Sequence, residues 1–131
     1  MELLQRYIKE VGADLVIDDF NLKNVQLKLP ATKHFWVARL VEARVAKDKL
    51  IKSKKQRKKD IIKEVISASP IKISITAAEQ AAEKHDAIMS IADDIKEYDL
   101  IITYLEKVEK ILSTMHWEVK NIVDINRMEQ L

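Results

Sequence analysis

Residues 88–122, IMSIADDIKEYDLIITYLEKVEKILSTMHWEVKNI, decide the fold. Ile88, Ile91, Ile95, Tyr98, Ile102, Leu105, Val108, Leu112, Met115, Val119 and Ile122 recur at steps of three or four, so they fall on one face of an α-helix. Ile101, Ile111 and Trp117 lie beside or outside that stripe and widen the apolar face. A seam of this length is built for packing against another helix. Two successive steps of three, at 102–105–108, break heptad register and shift any supercoil there.

Reading back from the seam, Thr76-Ala77-Ala78-Glu79 is a capping box, which opens this helix at about residue 77 and lets it run to roughly Val123. Before it, Ile71, Ile73 and Ile75 alternate with period two, the pattern of a short extended segment near 71–75. Ser67-Ala68-Ser69-Pro70 breaks the chain ahead of that segment. From about Ala31 to Ile66 the spacing predicts a second long helix. It is apolar at its ends (Phe35, Trp36, Val37, Leu40, Val41; Ile61, Ile62, Val65, Ile66) and basic at its centre. Pro30 disfavours helical geometry at Leu29 and marks a kink or a fresh first turn. Upstream, Asp18 or Asp19 can cap a helix running toward Leu29. Residues 2–11 form a short amphipathic helix with Leu4, Tyr7, Ile8 and Val11 on one side and Gly12 as its stop.

The expected architecture is therefore all-α, one helical domain over 1–131. It comprises N-terminal helices (1–30), a basic helix (31–66), an extended connector (67–76) and a C-terminal helix (77–131). Only one other long helix exists to cover the seam, and that helix is polar in its middle. The surplus apolar face predicts a homo-oligomer joined by coiled-coil-like packing through Ile95, Tyr98, Ile102, Leu105, Val108, Leu112, Met115, Val119 and Ile122. An antiparallel pair within one chain would cover part of the same stripe.

Composition agrees. The chain has 131 residues, 47% of them hydrophobic, one glycine, two prolines and no cysteine. A sandwich, barrel or doubly wound sheet needs turn residues every 8–12 positions or a glycine-rich loop, and neither is affordable here. No disulfide, thiolate metal site or cysteine nucleophile can form. No apolar run approaches the roughly 18 residues of a membrane span. The start, Met1-Glu2-Leu3-Leu4-Gln5-Arg6-Tyr7, lacks the apolar core of a signal peptide, which points to a reducing cytoplasm.

Catalytic signals are weak. His34, His85 and His116 are scattered, with no HxxxH or HExxH spacing. Asp93, Asp94, Glu97, Asp99, Glu106 and Glu109 suit a solvated helix face better than a metal site. His116 beside Trp117 reads as an interface or surface pair. No cofactor and no metal are expected.

Charge carries the functional signal. Residues 33–63 hold twelve Lys/Arg against three Asp/Glu, a local net of +9, and the rest of the chain is −7. Residues 77–131 alone are −6. Between Lys52 and Asp60 there is no apolar side chain, so this part of the helix faces solvent or an anion. Like charges four apart, Lys54 with Lys58 and Lys55 with Lys59, repel each other, and a phosphate chain would relieve them. Lysine outnumbers arginine, which suits point contacts to phosphates over bidentate reading of guanine. The candidate contacts are Lys47, Lys49, Lys52, Lys54, Lys55, Arg57, Lys58 and Lys59, and the binding they imply is independent of base sequence. Phe35 and Trp36, at the start of the same helix, could stack on bases but suit a core or subunit interface better.

The order of elements resembles the UvsY-type recombination mediator proteins of tailed phages. The likeness runs from Ile17-Asp18 through Leu22, Leu27, Pro30 and Phe35-Trp36 to the Lys-rich helix. It continues with Pro70, the alternating Ile71, Ile73, Ile75 ending at Thr76, and the striped helix that finishes near Glu118-Val119-Lys120-Asn121-Ile122. The resemblance implies a small helical protein without enzymatic activity that binds single-stranded DNA without sequence preference. It implies a ring-like homo-oligomer of about six or seven subunits. Its implied partners are a phage recombinase and the single-strand-binding protein whose DNA that recombinase must occupy, in the cytoplasm of the host cell, with no membrane involved. The family's DNA contacts fall on Arg57-Lys58-Lys59-Asp60-Ile61 here, without the paired tyrosines and glycine that follow them in the family. Two other readings of the residues remain open. One is a coiled-coil assembly or chaperone protein whose basic helix meets an acidic protein. The other is a membrane-surface helix, which ranks lower because the basic run lacks interleaved Leu, Phe or Trp.

Overall fold

The computed structural model describes residues 2–130 and contains four helices: α1 (Glu2–Asp14), α2 (Leu22–Ala68), α3 (Ile75–Glu83) and α4 (Asp86–Glu129). Among the described residues there is no strand, and the all-α expectation is borne out.

Several boundaries differ from the sequence reading, each for a physical reason. Gly12 does not stop α1, which runs on to Asp14 with no positive backbone φ. Pro30 neither kinks the chain into two helices nor starts a new one; it lies inside α2. Leu22, Leu29 and Trp36 are buried at steps of seven on either side of it, and this continuous packing outweighs the lost amide hydrogen bond. The connector is 69–74 rather than 67–76, because α2 runs on to Ala68 and Ile75 already belongs to α3. Ser74, extended at φ −70° and ψ 154°, is the N-cap, its hydroxyl accepting from the Ala77 amide at 3.1 Å. The Thr76–Glu79 capping box is therefore not used. The expected helix from 77 to 123 is two helices. At the break the Ala87 amide donates to His85 Nδ1 at 3.1 Å, while the Ile88 and Met89 amides donate to the His85 carbonyl. Asp18 caps the turn 18–21 that leads into α2, not the first turn of α2 itself, which begins at Leu22. Its carboxylate accepts from the Phe20 and Asn21 amides, and the Asn21 side chain accepts from the Asp18 amide in return.

The chain divides into two compact units. One takes the chain through Ala43 and again from Leu100; the other is Arg44–Asp99. In the first, Tyr7 and Val11 of α1, Leu22, Leu29, Trp36, Leu40 and Ala43 of α2, and Ile101, Ile102, Leu105, Val108, Leu112, Met115 and Val119 of α4 form the core. Trp36 is 1% exposed, edge-on to Tyr7 with centroids 5.6 Å apart, and its indole N–H donates to Asp14 at 2.8 Å. Arg39 lies over the Tyr7, Phe35 and Trp36 rings at 4.3–4.9 Å and pairs with Glu10. The second unit has a small apolar cluster of Ile61, Ala82 and Ile88, with Ile62, Val65 and Ala87 packed around it. Within this unit α2 and α4 are antiparallel, since Lys47 meets Asp99 and Ile61 meets Ile88.

Candidate nucleic-acid interface

The basic segment of α2 lies in the second unit, and helical geometry sorts its cations into two sets. Lys47, Lys54 and Lys58 are half-buried and follow the row that continues into the buried Ile61. Lys47 pairs with Asp99 of α4 at 2.5 Å, and Lys58 pairs with Glu83 of α3. The bond from Lys58 holds the Glu83 carboxyl below its ordinary value, and the same bond raises the Lys58 ammonium. Lys54 adds to the depression of Glu83 from a greater distance. Lys47 and Lys58 are thus committed in part to holding α2 against acids of α4 and α3, and Lys54 adds only its charge.

Lys49, Lys52, Lys55, Arg57 and Lys59 are exposed and, among the described residues, have no acidic partner. Lys52, Lys55 and Lys59 step by three and four along one side, and Lys63, which the sequence reading left out, extends that row. From Lys52 to Lys59 is two turns, roughly 10.5 Å along the axis. From Lys52 to Lys59 the outward row is a line of ammonium groups with no apolar insertion, and Asp48, one turn before Lys52 on the same side, forms no ion pair with it among the described residues. The row can hold a chain of phosphates, and it offers nothing that reads base edges. Among the described residues no group of three His, Asp or Glu could hold a metal ion, and no helix is long and apolar enough to cross a membrane.

The seam residues also separate. Ile102, Leu105, Val108, Leu112, Met115 and Val119 are buried within the single chain, whereas Ile95, Tyr98 and Ile122 are half-buried. A second apolar row on α4, Leu100, Tyr104, Ile111, Ile122 and Ile125, is wholly or partly exposed. Of the two tryptophans, Trp36 is core and Trp117 is on the surface.

This is the all-α fold of a two-unit chain whose two long helices each contribute to both units. It is similar to that of the bacteriophage T4 recombination mediator protein UvsY, over 96% of this chain and 98% of that one, with a TM-score of 0.80 and 12% sequence identity. The resemblance drawn from the order of sequence elements is thus borne out in the fold. No family model matches the sequence, and no curated protein matches it in sequence.

Proposed function

We propose that this chain is a sequence-independent single-stranded DNA-binding recombination mediator. It acts as a homo-oligomer that helps load a strand-exchange recombinase onto DNA covered by single-strand-binding protein, and it performs no chemistry of its own. The observation that carries this reading is the outward row of unpaired cations on α2, Lys49, Lys52, Lys55 and Lys59, with Arg57 exposed on the opposite flank of the helix. Lys47, Lys54 and Lys58 lend the segment positive potential from its inner side. The shared fold with the T4 mediator supports it. Self-association runs through α4. With Ile102, Leu105, Val108, Leu112, Met115 and Val119 occupied inside the chain, the outer row from Leu100 to Ile125, with Ile95 and Tyr98, joins the copies. Several copies displaying the same cationic row turn a weak site into a tight one by effective concentration. The protein works in the cytoplasm of the cell in which the recombinase acts.

The test is an oligonucleotide titration across a salt series. Log affinity is expected to fall with log salt by about 0.7 per phosphate neutralised. Binding with no salt dependence would remove the reading and leave an acidic protein as the partner of the basic helix. Glu83→Gln sharpens the measurement. It releases Lys58 from its intramolecular bridge, so the slope is expected to steepen by about 0.7, one further phosphate. Acidification acts in the same direction. Glu83 has a lowered carboxyl, so the bridge is complete above the ordinary carboxylate range and is lost as the pH falls through the depressed value. An unchanged slope in the variant would place Lys58 outside the path of the strand.

A further inference from the structure

We propose that Trp117 is a stacking platform for a base of the bound single strand, with Lys120, His116 and Lys33 flanking the strand beside it; this rests on the single-strand-binding reading above. Trp117 is 60% exposed. The helical period places it roughly 140–200° around α4 from Leu112, Met115 and Val119, which is the side away from the core. Its four neighbours on the helix surface, at i−4, i−3, i+3 and i+4, are Ser113, Thr114, Lys120 and Asn121. None is apolar and none is acidic. A tryptophan that anchors a protein interface sits at the centre of a desolvated patch, and this one stands alone among hydrogen-bonding groups. It is also about a third of a turn from the apolar row Leu100, Ile111 and Ile125. The surroundings fit a ligand with a π-face and a polar, anionic edge, which is what an unpaired nucleotide offers.

The local geometry supports that occupant. The Lys120 ammonium lies 5.2 Å from the indole centroid, and the His116 ring meets the indole edge-on at 5.5 Å and 73°. The indole keeps 60% of its surface exposed with Lys120 over it, so a base stacked there would have a cation within reach of its adjoining phosphate. His116 and Ser113 form one wall of a cleft of about 260 Å³ whose other wall is Gln26, Leu29, Pro30 and Lys33 of α2. That is smaller than the roughly 300–1,000 Å³ of a drug-sized site, but it is open to a sugar or a second base beside the stacked one.

The chain has two tryptophans, and Trp36 is sealed in the core, so emission changes on binding report Trp117. A thymidine oligonucleotide is expected to quench the emission of the full-length protein, and a strand of abasic sites of equal length to bind without quenching. Trp117→Ala is expected to abolish the quenching and weaken thymidine binding about five- to a hundredfold. It leaves abasic binding and the melting temperature unchanged, and Trp117→Phe restores part of the affinity. If the thymidine strand binds by anisotropy with no change in emission, or binds Trp117→Ala as tightly as the parent, the stacking site is wrong and the basic helix stands. If acrylamide cannot reach Trp117 in the free protein, the residue is an interface between copies and the inference falls. Absence of binding by either strand at low salt overturns this proposal and the mediator reading together.

Discussion

Replacing Lys49, Lys52, Lys55 and Lys59 together by glutamate is expected to abolish single-strand binding at moderate salt while leaving the helical fold intact. All four point into solvent without a partner, so their reversal disturbs no packing. Four contacts correspond to a salt slope of about 2.8, since each phosphate on a single strand contributes about 0.7. A site of that size loses about fiftyfold in affinity between 50 and 200 mM salt. Removing it flattens the slope by the same amount, and the four new carboxylates repel what remains. The informative control is the inner set. Reversing Lys54 and Lys58 sets glutamate against Glu83, so it is expected to lower the melting temperature as well as the affinity. A protein carrying the four outward changes that still binds oligonucleotide with the parental slope would move the site off α2.

The two sets also bear on the charge asymmetry. The acidic character of residues 77–131 does not simply oppose the basic helix. Asp99 and Glu83 neutralise the inner lysines and leave the outer ones unbalanced. A mixed-charge chain of net +2 thereby presents one strongly cationic face. Exposed ion pairs of this kind contribute little to stability; here they orient the helix.

How far the sequence was legible follows from the range of each interaction. The three- and four-residue steps of α4 are local and were read correctly. Asp18 is legible as a capping residue, because its partners, Phe20 and Asn21, are two and three residues away, but what it caps is the turn before α2. Pro30 was misread because what carries α2 through it is the burial of Leu22, Leu29 and Trp36, a tertiary effect that local propensity does not contain. The break at His85 has no glycine or proline to announce it, and its cap is an imidazole. Lys58 meets Glu83 twenty-five residues along the chain, so a run of eight cations read as equivalent separates into bridged and free members only in three dimensions. Of the aromatics, Trp36 shows the same limit. The helical period already sets Trp117 outside the buried stripe of α4, whereas it takes the position of α1, with Tyr7 against Trp36, to fix Trp36 as core.

The second large effect concerns neighbours on α4 that face opposite fates. Leu112→Ala is expected to destabilise the fold by about 2–5 kcal/mol, because Leu112 is 1% exposed within a single chain and its removal leaves a cavity. For a chain of this length that corresponds to a fall in melting temperature on the order of 10 °C. The loss is expected to be the same at every protein concentration, since the contacts are intramolecular. Ile111→Ala removes a half-exposed side chain from the outer row. It is expected to leave the stability of the dilute chain within about 0.5 kcal/mol of the parent and to shift the oligomer toward smaller species in light scattering. Mass action separates the two cases, because stability drawn from association rises with protomer concentration and stability drawn from the chain's own core does not. If the Leu112→Ala deficit disappeared on concentrating the protein, the buried stripe would be the seam between copies. The helix would then exchange its partner from another copy to its own α2 as the protein is diluted.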